Sequence, residues 1–120
     1  MSKPPYPRTR RVNSIVHQVI AEEVERLKDP RLGFVSITGV DTAPNFRNAT
    51  VYFSTLPLEH AEETMEALRA AAPRLRRILG EQVRLKYTPA LTFEFDRGVA
   101  EGDRIDRLLR NLDMGESDDD

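Results

Sequence analysis

Phe34 to Leu56 reads FVSITGVDTAPNFRNATVYFSTL, and both halves of it suit strands better than helices. Phe34–Val40 is rich in β-branched residues, while Arg47–Leu56 sets Ala49, Val51 and Phe53 against Thr50, Tyr52 and Ser54, the two-residue period of a half-buried strand. Between them Asp41–Phe46, with Pro44 and Asn45, supplies a reversal. The stretch is predicted to be an antiparallel hairpin.

Toward the N-terminus the period changes. From about Thr9 to Lys28 the apolar residues Val12, Ile15, Val16, Val19, Ile20, Val24 and Leu27 recur at three-and-four spacing, the stripe of a helix with one buried face. The helix is expected to end near Lys28, because Pro30 pushes Asp29 out of the helical region and Gly33 permits a turn. Residues 1–8 contain Pro4, Pro5 and Pro7 and read as a flexible basic arm.

Toward the C-terminus a helical pattern resumes after Pro57, with Ala61, Met65, Leu68 and Ala72 on one face. Pro73 then disfavours a helical Ala72 but is welcome at the first position of a new helix, so two helices are expected to meet at a kink, the second being Pro73–Leu79. Ala90–Asp96 reads as a third strand, with Leu91, Phe93 and Phe95 on one side and Thr92 and Glu94 on the other. A last amphipathic segment, Asp103–Leu112, leads into an acidic, disordered tail over residues 113–120. The expectation is one α+β domain over residues 9–112 with the order αββααβ and a kinked helix pair.

The bulk properties bound what such a domain does. With 120 residues, 39% hydrophobic and 32% charged, the chain suits a single folded core, and it holds no apolar run long enough to span a bilayer. It has no cysteine, and MSKPPYPRTRR lacks the apolar centre of a secretory signal, so a cytoplasmic location is expected. His17 and His60 sit alone in helical contexts and read as structural or solvated. Ser14, Ser36 and Ser54 lie in plain helix or strand, and the six glycines form no phosphate-binding or dinucleotide pattern. No catalytic residue, metal site, cofactor or small-molecule substrate is predicted.

What remains is cationic chemistry. The formal net charge is −2, but five acids lie in the last eight residues, so residues 1–112 carry 18 basic against 15 acidic side chains, a net of +3. Lys3, Arg8, Arg10 and Arg11 lie in an acid-free stretch, and Arg69–Lys86 holds six cations against Glu81 alone. Arginines can fork onto phosphate oxygens, which makes Arg74, Arg76 and Arg77, just past the expected kink, and Arg84 and Lys86 beyond them, candidates for RNA contact. From charge alone, a solvated face is the competing reading. The tail, Asp113 to Asp120, is a candidate to occupy the basic surface when RNA is absent. The element order, with cations at the helix junction, suggests a KH-like module, although no glycine pair here has the GXXG spacing of ordinary KH domains.

Residues from about Arg8 to Leu109 resemble the ribosome-binding factor A family, bacterial small-subunit assembly factors. The resemblance is carried by Lys28-Asp29-Pro30-Arg31, by Asn48-Ala49-Thr50-Val51-Tyr52-Phe53-Ser54, by Arg84-Leu85-Lys86-Tyr87-Thr88-Pro89-Ala90-Leu91-Thr92-Phe93-Glu94-Phe95-Asp96, and by Gly102-Asp103-Arg104-Ile105 with Leu108 and Leu109. It implies a type II KH fold in which an interhelical kink replaces GXXG. Ala71-Ala72-Pro73 stands where the family commonly has Ala-x-Gly, proline replacing glycine. Asn45 and Gly98 stand where the family usually has aspartate and serine. The resemblance further implies a protein that binds the immature small ribosomal subunit and its ribosomal RNA, assists maturation of the 5′ end of that RNA, and matters in the cold; a monomer is expected. Arg8, Arg10, Arg11, Lys28, Arg31, Arg74, Arg76, Arg77, Arg84 and Lys86 are the expected RNA contacts. A protein-docking adaptor and a hydrolase are the alternative readings. Salt-insensitive binding would mark the first, and activity lost with one acid or histidine the second.

Overall fold

A computed structural model of the protein describes residues 7–98. A 3-10 turn, Pro7–Thr9, leads into α1 (Arg10–Glu25); β1 (Phe34–Thr42) and β2 (Asn48–Leu56) follow. A second 3-10 turn, Leu58–His60, opens α2 (Ala61–Gln82), and β3 (Ala90–Phe95) follows. The closing segment Asp103–Leu112, the tail 113–120 and Lys3 lie outside the described residues.

The strands form one sheet in the order β1-β2-β3. β1 and β2 are antiparallel, Phe34 facing Leu56 and Thr42 facing Ala49, with a bulge between Ile37 and Gly39. The Thr38 hydroxyl at that bulge donates to Asp96 Oδ2 at 2.6 Å, linking the edge strand β1 to the residue that follows β3. β2 and β3 run parallel, Asn48 facing Ala90 and Phe53 facing Phe95. A parallel pair requires a crossover, and α2 supplies it.

The class is α+β, as the residue pattern indicated, and the hairpin lies where its alternation put it. Among the described residues the order is αββαβ, because the expected helix pair is one helix of 22 residues with Pro73 inside it. Leu68 lies before the proline and Leu75 and Leu79 after it, and all three are completely buried, so core contacts on both sides carry the helix through. α1 stops at Glu25 rather than Lys28: its last turn tightens, the Leu27 N–H donating to Val24 O only three residues back. Pro7 and Arg8, expected in the arm, belong to the first 3-10 turn, and Thr9 is fully buried.

Both helices cover one face of the sheet. Val16, Val19, Ile20 and Val24 of α1 meet Val40, Ala49, Val51, Phe53 and Phe93 of the strands and Leu68, Leu75 and Leu79 of α2. Phe53 and Phe95 meet edge to face, 5.7 Å apart. The other face carries Tyr52, Asp41 and Glu94. Burial raises the Tyr52 phenol above its usual range, and the charges of Glu94, Asp41 and Asp96 add to the rise.

One buried polar contact ties α1 to the sheet: Asn13 Oδ1 accepts the Thr42 N–H at 2.8 Å. Asn13→Ala would leave that buried donor without its acceptor. The expected cost is about 1–3 kcal/mol in a urea unfolding curve. An unchanged midpoint would mean the contact contributes nothing.

Candidate nucleic-acid interface

Of the ten expected contact residues, Lys28, Arg31 and Arg74 lie toward the C-terminal end of α1 and Arg8, Arg10, Arg11 and Lys86 toward its N-terminal end, the 16 residues of the helix spanning about 24 Å. At its C-terminal end the Leu27–Pro30 segment faces Ala67, Ala70, Ala71 and Arg74 of α2 across an open groove of about 480 Å³. The three alanines keep the groove floor low, and Lys28 and Arg74 supply its cations. Neither makes an ion pair among the described residues. Of the expected kink residues, Ala71 lines this groove, Ala72 packs half-buried against the core, and Pro73 is exposed.

Arg31 is engaged elsewhere. Its Nη2 lies 2.7 Å from Asp29 Oδ2, its Nε 3.1 Å from Asp29 Oδ1, and its backbone N–H donates to that same Oδ1 at 2.9 Å. These bonds hold the Asp29 carboxyl down at about 2 against an ordinary 3.8. A depressed carboxylate favours folding above its unfolded value, so the clasp persists at neutral pH and loosens only as pH falls through about 2. Arg31 closes a turn, its guanidinium paired with Asp29.

At the N-terminal end of α1, Arg8 Nη2 reaches Pro44 O of the hairpin turn at 3.4 Å, and Arg10 and Arg11 are exposed. The segment before β3 comes to the same place. Lys86 Nζ lies 5.6 Å and the Arg47 guanidinium 4.2 Å from the Tyr87 ring centroid, the second a close cation–π stack. Arg84 is exposed and has no partner among the described residues.

Arg76 and Arg77 also have intramolecular partners. Arg77 meets Glu81 at 3.4 Å with both side chains more than 60% exposed, a pair that holds it weakly. Arg76 donates from Nε at 3.2 Å and Nη2 at 3.0 Å to Thr88 O. One turn on, a Cβ at Gly80 would lie 3.1 Å from Thr88 Oγ1, so the glycine lets this segment lie close against α2. Arg76→Gln removes the fork and is expected to speed amide exchange around Thr88 and Ala90, with at most about 1 kcal/mol lost globally. Equal exchange in parent and variant would show that the segment is held by other contacts.

His17 is structural: Nε2 lies 3.0 Å from Ile37 O, joining α1 to β1. His60 is exposed ahead of α2. No group of three His, Cys, Asp or Glu that could hold a metal is found among the described residues, and no described helix is long and apolar enough to cross a membrane. Arg47 and Tyr87, which stack beside the cations at the N-terminal end of α1, are not singled out by residue patterns. The cue for them is the parallel β2–β3 register, which sets Asn48 opposite Ala90 and so brings the residues just before each strand together.

The groove, the cationic ends of α1 and the αββαβ topology can be compared with known proteins. Residues 8–109 match the family model described as Ribosome-binding factor A. Ribosome-binding factor A of Rubrobacter xylanophilus is 43% identical over 113 residues, covering 93% of this chain and 92% of the relative. That of Geobacter sulfurreducens is 35% identical over 117 residues, 96% and 99% of the two chains. The crystal structure of ribosome-binding factor A from Thermus thermophilus superposes with a TM-score of 0.69 at 28% identity, over 74% of this chain and 96% of that one. A homology model of the Thermus thermophilus factor, fitted into a cryo-EM map of its 30S complex, gives 0.61 at 29% identity over 71% and 91%. With a matching family model over nearly the whole chain and relatives matched from end to end, the chain belongs to the ribosome-binding factor A family.

Proposed function

We propose that the chain is a KH-like, non-catalytic assembly factor that acts as a monomer in the cytoplasm. It binds the immature small ribosomal subunit through its ribosomal RNA and assists maturation of the 5′ end of that RNA, with greatest effect in the cold. The observation that carries the reading is the groove between Leu27–Pro30 and α2, where Lys28 and Arg74 flank a floor of alanines. A low floor admits a sugar-phosphate backbone, and two unpaired cations suit its charge. Arg10 and Arg11 add cations at the N-terminal end of α1, where Lys86 also lies, and Arg84 is exposed in the segment before β3. The opposite face of the sheet carries Asp41 and Glu94, whose negative charges disfavour phosphate, which supports contact on the helical side. The Thermus relative's fitted position in a 30S complex supports the choice of partner.

Sedimentation with small-subunit particles over a salt series tests it. Co-sedimentation should fall steadily as salt rises, and cells depleted of the protein should accumulate small-subunit RNA with unprocessed 5′ ends. A second reading, docking on a ribosomal protein, is favoured by Phe34 and Leu56, an opposed pair 82% and 60% exposed at one end of the hairpin. Binding that ignores salt but is lost with Phe34→Ser would select that reading.

A further inference from the structure

Val12 at the start of α1, Phe46 in the hairpin turn, and Leu85, Lys86 and Tyr87 before β3 enclose a pocket of about 330 Å³ with an almost wholly apolar lining. Its size is at the small end of ligand-binding clefts. We infer that this pocket is a nucleobase site, taking one unstacked base of a single-stranded RNA segment. The inference rests on the RNA-binding reading and adds a second mode of recognition to its phosphate contacts.

Three observations support a base as the occupant. Two aromatic residues, Phe46 and Tyr87, line the pocket, and the Tyr87 ring has the Arg47 guanidinium 4.2 Å and Lys86 Nζ 5.6 Å from its centroid, so a base stacked there would meet an aromatic wall with cations at hand. Cations stand beside this apolar space: Lys86 on its wall, and Arg8 against Pro44 of the same turn. A nucleotide brings a flat apolar face and a phosphate together, whereas an aliphatic peptide has no use for the cations. Finally, Phe46 has φ of 64°, the left-handed region that a bulky side chain rarely adopts. The turn enforces it: Phe46 N–H donates to Ala43 O at 2.8 Å, Arg47 N–H to Asn45 Oδ1 at 3.0 Å, and Ala43 N–H to Asn48 O at 2.8 Å. Such strain persists where the surroundings over-determine it, and here it sets an aromatic ring in the pocket wall.

The test uses the full chain with two probes, a short oligo-uridine strand and an RNA duplex of equal length, each titrated against the parent, Tyr87→Ala, Tyr87→Phe and Phe46→Gly. Glycine is at ease at positive φ, so Phe46→Gly removes the ring while favouring the turn. Tyr87→Ala and Phe46→Gly should each weaken oligo-uridine binding roughly five- to hundredfold, the worth of one base stacked on an aromatic ring, and leave duplex binding nearly unchanged. Tyr87→Phe should behave as the parent. Parent-like oligo-uridine binding by both ring-removing variants overturns the inference while duplex binding keeps the phosphate reading intact. If those variants lose the small subunit but not oligo-uridine, the pocket holds a protein segment and the inference is wrong. A parent that binds neither RNA yet sediments with the subunit overturns both readings.

Discussion

A chain carrying Arg10→Gln, Arg11→Gln, Lys28→Gln and Arg74→Gln is expected to bind small-subunit RNA weakly and with a much flatter response to salt. These four cations are exposed and have no ion-pair partner among the described residues, two near each end of α1. Each phosphate neutralised releases a counterion and adds about 0.7–0.9 to the slope of log affinity against log salt, so four together should flatten it by roughly 3. Between about 50 and 200 mM salt the parent would then lose on the order of a hundredfold more affinity than the variant. Glutamine is as good a helix former as arginine or lysine, so the fold should survive. The matched control is Arg31→Gln with Arg76→Gln: these cations already serve Asp29 and Thr88, so their loss should leave the slope close to that of the parent. Equal slopes for parent and quadruple variant would remove the ends of α1 from the interface.

That contrast shows where residue patterns stop being informative. The alternation of Ala49, Val51 and Phe53 is enough to identify β2, because the period of a half-buried strand is a local property, and all three are buried. The stripe from Val12 to Val24 likewise needs only the helical period, and its core members Val16, Val19, Ile20 and Val24 are the buried ones. Which arginine is free is not a local property. Arg31 and Arg74 look alike in the chain, yet Asp29 two residues away engages the first at 2.7 Å. Arg76 reaches Thr88 only because α2 and the segment before β3 lie together, and Arg47 meets Tyr87 only through the pairing of β2 with β3. Neighbours brought together by strand pairing leave no periodic trace.

Pro73→Ala is expected to stabilise the protein by about 2 kcal/mol, with helical content nearly unchanged. Read locally, proline should have divided residues 61–79 into two helices, and alanine should have fused them. The structure already has one helix from Ala61 to Gln82, so the substitution has little helix left to create. What it restores is a single bond, from the N–H of residue 73 to Arg69 O, and the relief of the ring's clash with that carbonyl. A proline inside a helix costs about 3 kcal/mol relative to alanine, and part of that is offset because proline also restricts the unfolded chain. The opposing effect comes from packing. Leu68 and Leu75 lie on either side of Pro73 and both are fully buried, so if they reach one core only through a bend, straightening α2 would withdraw one of them. That loss resembles a large-to-small core substitution, about 2–5 kcal/mol, and would reverse the sign. Because Pro73 itself is exposed, no lost contact of its own confuses the measurement. A higher urea midpoint means α2 tolerates the proline as a defect. A lower one means the bend belongs to the fold, and subunit binding should then weaken with it, since Ala67, Ala70, Ala71 and Arg74 hold one side of the groove across that position.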